Sequence, residues 1–150
     1  MNQSSGVWSV VTHPATLVGV GGAVGGILRY YLGVWLNPKT GGFPWGTFAV
    51  NVSGSFIVAF LALLILEQLP EDHRGWFLLL GAGFCGGFTT FSTFEWELFQ
   101  LIRDGRAGLA LAYAAASLLA GFLGVLAAAG TLYLLAITLG LGGKPGSGTP

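Results

Sequence analysis

Apolar residues run along the chain in four long blocks, at about Ala15 to Trp35, Trp45 to Leu66, Gly75 to Gln100 and Gly108 to Leu139. A bilayer core about 30 Å thick takes about 20 apolar residues per helix, so each block is long enough to cross. The runs are continuous and lack the period-two alternation of a transmembrane strand, which excludes a barrel and leaves helices as the spanning structure. The segments between them, "LNPKTGGFP", "EQLPEDHR" and "IRDGRA", are short and predict antiparallel neighbours. No basic stretch precedes the first block and no small-x-small cleavage site leads into a soluble chain, so it reads as a retained helix rather than a signal peptide.

Composition agrees. Hydrophobic residues make up 53% and charged residues 8%, against about a quarter charged in soluble domains, and the mean hydropathy is +0.75. The chain reads as an all-α integral membrane protein. Residues 1–14 form an N-terminal segment with an interfacial piece around Trp8, residues 15–139 the four-helix membrane domain, and residues 140–150 a disordered tail of linker composition. The formal net charge of zero leaves no basic stripe for phosphates and excludes nucleic acid as a partner. The partners are membrane lipid and something that crosses it. The single cysteine, Cys85, has no partner for an internal disulfide and reads as a small packing residue. His13 and His73 stand beside Pro14 and Asp72 without metal-ligand or nucleophile spacing, which argues against an enzyme.

Loop cations set membrane orientation. Arg74 and Lys144 fall on the side of both termini; Lys39, Arg103 and Arg106 fall on the other, with Arg29 able to snorkel there. So slight a bias leaves two readings open: insertion both ways up, with two opposed copies pairing as an antiparallel dimer, or a single orientation set by the basic pair Arg103 and Arg106 in the third loop.

The polar positions inside the blocks are few and patterned. "GVGGAVGG" in the first block puts Gly21 and Gly25, and Gly22 and Gly26, four apart, a spacing that lets helix backbones approach closely. Thr47, Asn51 and Ser55 fall on one stripe of the second helix, and Tyr113 and Ser117 lie four apart on the fourth. Single Ser, Thr or Asn residues in lipid often serve only as interhelical hydrogen bonds; two stripes on two helices point to a polar pathway. In the third block, Gly81, Gly83, Gly86 and Gly87 weaken the helix, and Thr89, Thr90, Ser92 and Thr93 compete for its backbone groups. A break is expected near Gly86 to Thr89. Non-helical backbone at membrane depth is tolerated only where protein buries it or it lines a cavity, and its carbonyls and amides are ready ion ligands. Phe91 and Phe94 follow one turn apart. A phenyl ring has a positive edge, so ring edges in a dry pore can meet an anion without a full charge.

"GGFTTFSTF" (Gly86 to Phe94), "GTFAVNVSGSF" (Gly46 to Phe56), "GGAVGGILRY" (Gly21 to Tyr30) and "YAAAS" (Tyr113 to Ser117) resemble the CrcB/Fluc family of fluoride channels over about residues 16–137. The third-block motif is the most specific and the glycine run the least. The resemblance implies an antiparallel dual-topology homodimer in the cell inner membrane, with two fluoride pores and a structural sodium ion on the two-fold axis. It implies that Gly86 and Thr89 offer carbonyls to sodium at the helix break and that Phe91 and Phe94 line the pores. Asn51 would donate to the passing anion, and Thr47 stands on the same stripe. Tyr113 and Ser117, joined by Thr90 and Thr93, resemble a polar track; Arg29 and Glu97 match vestibule residues. Gly121 departs from family members that carry the hydroxyl series one turn further.

The alternative is a proton-coupled small exporter or antiporter of the four-helix dual-topology type. The small multidrug-resistance kind needs an acid embedded in the first helix, and that helix has none. Glu95 and Glu97 could serve an antiporter, but near the end of the third block snorkelling to the interface is the cheaper expectation.

Overall fold

The computed structural model describes residues 13–38 and 42–139, and all regular structure among them is helical. The expected interfacial piece around Trp8 and the tail at 140–150 lie outside the described residues. Helix α1 is Pro14–Leu36. Helix α2 is Trp45–Leu61, extended by a wider π-helical turn at Ala62–Leu66. Helix α3 opens as a 3-10 turn at Glu71–His73 and runs through Arg74–Trp76, a π-helical Phe77–Cys85 and Gly86–Phe88. Helix α4 is Ser92–Arg103 and α5 is Ala107–Thr138. Taking α3 and α4 together, four helical segments are long and apolar enough to cross a membrane.

Local chemistry sets the ends. Pro14 occupies the first turn of α1, and His13 Nδ1 accepts from the Ala15 amide at 3.3 Å. The turn from α4 to α5 is made by Gly105, whose φ of 75° favours glycine. The Gly105 amide donates to the Ile102 carbonyl and the Arg106 amide to the Leu101 carbonyl, which caps the last turn of α4 in a Schellman arrangement.

Helix α1 packs closely on α3, α2 packs on α5, and α4 lies against α5, with α2 also touching α1 and α3. The small-residue stripe makes the first of these contacts. A methyl group at Gly21 would collide with the Leu79 carbonyl, one at Gly25 with the Phe84 carbonyl, and one at Gly87 with the Gly22 carbonyl. These are backbone atoms that cannot swing away. Gly25→Val is therefore expected to cost about 3 kcal/mol or more through overpacking, seen as loss of a monodisperse species in detergent. Gly130→Val, where an added carbon meets nothing within 4 Å, is the tolerated control.

The core is small. Phe94, Leu101, Ala110 and Tyr113 cluster between α4 and α5, with Phe43 and Phe48 packed over them. Large apolar side chains such as Val24, Ile27, Leu118, Phe122 and Leu126 stay more than half exposed, as a lipid-facing surface requires. Cys85 is free and buried, as a packing residue would be.

Candidate functional site

The backbone leaves the helix at Thr89, whose φ of −81° and ψ of 161° are extended, and returns to it at Ser92. Gly86, expected at the interruption, is still helical, with φ −62° and ψ −37°. The turning point falls at the last residue of the expected stretch, Gly86 to Thr89: Thr89 Oγ1 and the Thr89 amide both donate to the Cys85 carbonyl, at 2.9 and 3.0 Å, and close the last turn. Thr90 then organises the start of α4. Its Oγ1 accepts from the Thr93 amide at 3.2 Å and donates to Thr93 Oγ1 at 3.1 Å, a local capping role that hydroxyl side chains favour at helix starts.

Asn51 on α2 braces the gap. Its Oδ1 accepts from the Thr90 amide at 2.8 Å, and its Nδ2 donates to the Thr90 carbonyl at 2.9 Å. In a continuous helix the Thr90 amide would go to the Gly86 carbonyl. Given to Asn51 instead, it leaves that carbonyl out of the helical ladder. The next one is met by Arg29 of α1, whose Nε donates to the Gly87 carbonyl at 2.9 Å; a cation at the carbonyl end of a helix also offsets its dipole. Arg29 thus reaches the break rather than only an outer vestibule. Packing keeps the two helices in register here, since a methyl group at Gly54 would collide with Thr89 Cγ2.

Three open grooves meet at this point. One of about 390 Å³ is bordered by Asn51, Cys85, Gly86, Thr89 and Phe91. A second of about 450 Å³ is bordered by Arg29, Asn37, Thr47, Thr90 and Thr93. A third of about 350 Å³ holds Asn51, Ser55, Phe91, Phe94, Ser117 and Gly121. In this last groove Ser117 Oγ is buried without a hydrogen-bond partner, and Ser55 Oγ donates to its own helix at the Asn51 carbonyl, 2.7 Å away. The two phenylalanines differ: Phe91 is 72% exposed, whereas Phe94 is 6% exposed and meets Tyr113 edge-on at 5.0 Å. Their ring centroids are 6.0 Å apart.

Glu97 corrects an expectation. It does not snorkel outward; its carboxylate turns into the bundle, where Oε1 accepts from Thr47 Oγ1 at 2.8 Å and Asn37 Nδ2 at 3.1 Å, and Oε2 accepts from Tyr113 at 2.8 Å. Three donors on one carboxylate offset the cost of taking it out of water. Glu95 stays exposed. Thr47 and Tyr113 thus meet in a cluster around Glu97, one helical turn along their own helices from Asn51 and Ser117. Asn37 escaped the sequence reading altogether; the signal for it was an asparagine just past the end of α1 and before Pro38, a common helix-stop pattern.

Among the described residues, no group of three or more His, Cys, Asp or Glu is placed to hold a metal ion. Neutral oxygens suit hard cations, and the Gly86 carbonyl, left out of the ladder, and the neighbouring Thr89 both border the groove and fit that chemistry.

Residues 16–131 match the family described as CrcB-like protein, Camphor Resistance (CrcB). A protein of Acidobacterium capsulatum named fluoride-specific ion channel FluC is 43% identical over 109 residues, covering 72% of this chain and 86% of that one. Proteins of the same name from Leptospira interrogans and Thermus thermophilus are 42% identical over 106 residues and 46% over 109. They cover 70% and 71% of this chain, and 83% and 84% of their own.

Proposed function

This chain belongs to the CrcB-like family, and on that premise we propose that it is a fluoride-selective channel of the cell inner membrane, letting fluoride leave passively and so relieving its toxicity. The observation that carries the reading is the neutral groove beside the interrupted helix. Ser117 brings an unpartnered hydroxyl and Asn51 the amide hydrogen not given to the Thr90 carbonyl, Phe91 and Phe94 bring ring edges, and no charged side chain borders it. A small anion that sheds water needs donors, but a full positive charge would hold it too tightly to pass. Uncharged donors and ring edges favour passage over capture.

The working unit is an antiparallel dual-topology homodimer with a pore along each copy. The exposed Phe91 and Gly86 support this, since a second copy would cover both. On its two-fold axis the Gly86 and Thr89 carbonyls of the two copies would hold a structural sodium ion, which supplies a fixed positive charge that keeps the broken ends together. Arg29 at the Gly87 carbonyl contributes in the same sense from within one chain.

The inward-turned Glu97 favours a second reading, proton-coupled antiport, because a carboxylate inside the bundle can carry a proton. Reversal potentials separate the two. In planar bilayers with opposed fluoride and proton gradients, a passive channel gives the Nernst potential of fluoride and ignores pH. A potential fixed by a proton-to-fluoride ratio would establish the antiporter.

A further inference from the structure

We propose that Asn37 is a positioning residue that locks the Glu97 carboxylate to the first loop and thereby sets the outer end of the ion route; the functional part of this rests on the fluoride-channel reading above. Asn37 closes α1, with φ −77° and ψ 131°, and its own amide donates to the Gly33 carbonyl at 3.1 Å. Its side chain faces two other helices at once. Oδ1 accepts from the Gly46 amide at 2.6 Å, serving one of the unpaired amides in the first turn of α2. Nδ2 donates to Glu97 Oε1 of α4 at 3.1 Å.

One amide therefore ties the end of α1, the start of α2 and the middle of the helix after the break. Gly46 is glycine for this contact, because an added carbon would sit 2.8 Å from Asn37 Oδ1 and 2.9 Å from Gly33 Cα. The next residue, Thr47, donates to the same carboxylate oxygen, so the loop and the first turn of α2 deliver two donors together. Asn37 and Glu97 also share the wall of a cavity of about 260 Å³ with Pro44, Gln100 and Asp104. Without Asn37, Glu97 Oε1 keeps Thr47 alone and can swing into that cavity. Asn37 is not placed to touch the ion at the Asn51 groove; it acts through Glu97.

Asn37→Asp dissects the clamp, because a carboxylate keeps an acceptor for the Gly46 amide, while it removes the donor to Glu97 and sets a second negative charge against it. The groups facing the new carboxyl are Glu97 from α4 with Thr47 and Tyr113 on its other side, and Asp104 across the cavity. Two carboxylates in contact hold a shared proton once the pH falls, and a protonated carboxyl donates again. In liposomes, the variant is expected to pass fluoride about tenfold more slowly than the wild-type protein at pH 7.5, the loss typical of one hydrogen bond to a charged group. After subtraction of the leak through protein-free liposomes, the ratio to wild type should return to within about twofold by pH 5.5. Asn37→Asp combined with Glu97→Gln, which keeps the acceptor for the Gly46 amide, should be no slower than Glu97→Gln alone.

A variant that conducts like wild type at both pH values, a deficit that does not change with pH, or losses that multiply in the double variant would each overturn the proposal. Melting in detergent reads the clamp without any ion: acidification should stabilise Asn37→Asp relative to wild type, and no difference in that response overturns the clamp itself. A wild-type protein that carries no fluoride overturns the functional reading alone, and the melting comparison still judges the contact.

Discussion

Asn51→Asp is expected to lower fluoride conduction about a hundredfold, equivalent to about 2.7 kcal/mol on the barrier. One carboxylate oxygen can still accept from the Thr90 amide, but the other replaces a donor to the Thr90 carbonyl and places a full negative charge on the groove that Asn51 shares with Ser117 and Phe91. Two unit charges about 4 Å apart repel by about 4 kcal/mol at an effective dielectric of about 20, enough to account for the loss. Asn51→Ala should fail differently. It leaves both backbone groups of Thr90 without a partner at membrane depth, at about 1–3 kcal/mol each, so the melting temperature falls along with the flux. Paired flux and melting measurements on the two variants check this; normal conduction by Asn51→Asp would reduce the residue to a packing role.

The phenylalanines carry the second large effect. Phe91→Ile keeps apolar bulk but removes the positive ring edge. Because Phe91 is 72% exposed in the single chain, this change should leave the fold of each copy intact while lowering fluoride flux more than tenfold, if an ion is to gain about 1.4 kcal/mol or more from the edge. Phe94→Ile should lower flux and stability together, since its ring is buried edge-on against Tyr113 and such pairs contribute about 0.5–1.5 kcal/mol beyond area. Phe60→Ile, in a ring stacked on Phe56 of the same helix and away from the break, is the control. A linked dimer altered in one copy should retain part of its flux. Normal flux through Phe91→Ile would show the rings to be filling space.

Much of this was legible because lipid imposes strict length and periodicity on a helix. The four spans expected at about Ala15 to Trp35, Trp45 to Leu66, Gly75 to Gln100 and Gly108 to Leu139 end within a few residues of the helices observed. The small-residue stripe in the first span announced a close helix contact, and it makes one, against the glycines of α3. What stayed hidden depends on partners distant in sequence. Glycine content marked the stretch Gly86 to Thr89, and the backbone turns at its last residue; the brace on Thr90 that holds it there comes from Asn51, 39 residues away, which local helix propensity does not show. Glu97 was read as snorkelling, since its distance along the helix shows its depth but not the donors waiting for it on α2, α5 and the first loop. Asn37 carried no periodic signal at all and gains its meaning only from the two helices it touches.

The most direct test of fluoride selectivity is efflux from liposomes containing the purified protein, loaded with fluoride or chloride, with and without a potassium ionophore to relieve the voltage. The account predicts rapid fluoride efflux that requires the ionophore, and chloride efflux no faster than from protein-free liposomes. Equal release of both anions, or fluoride release that ignores the voltage, would contradict it.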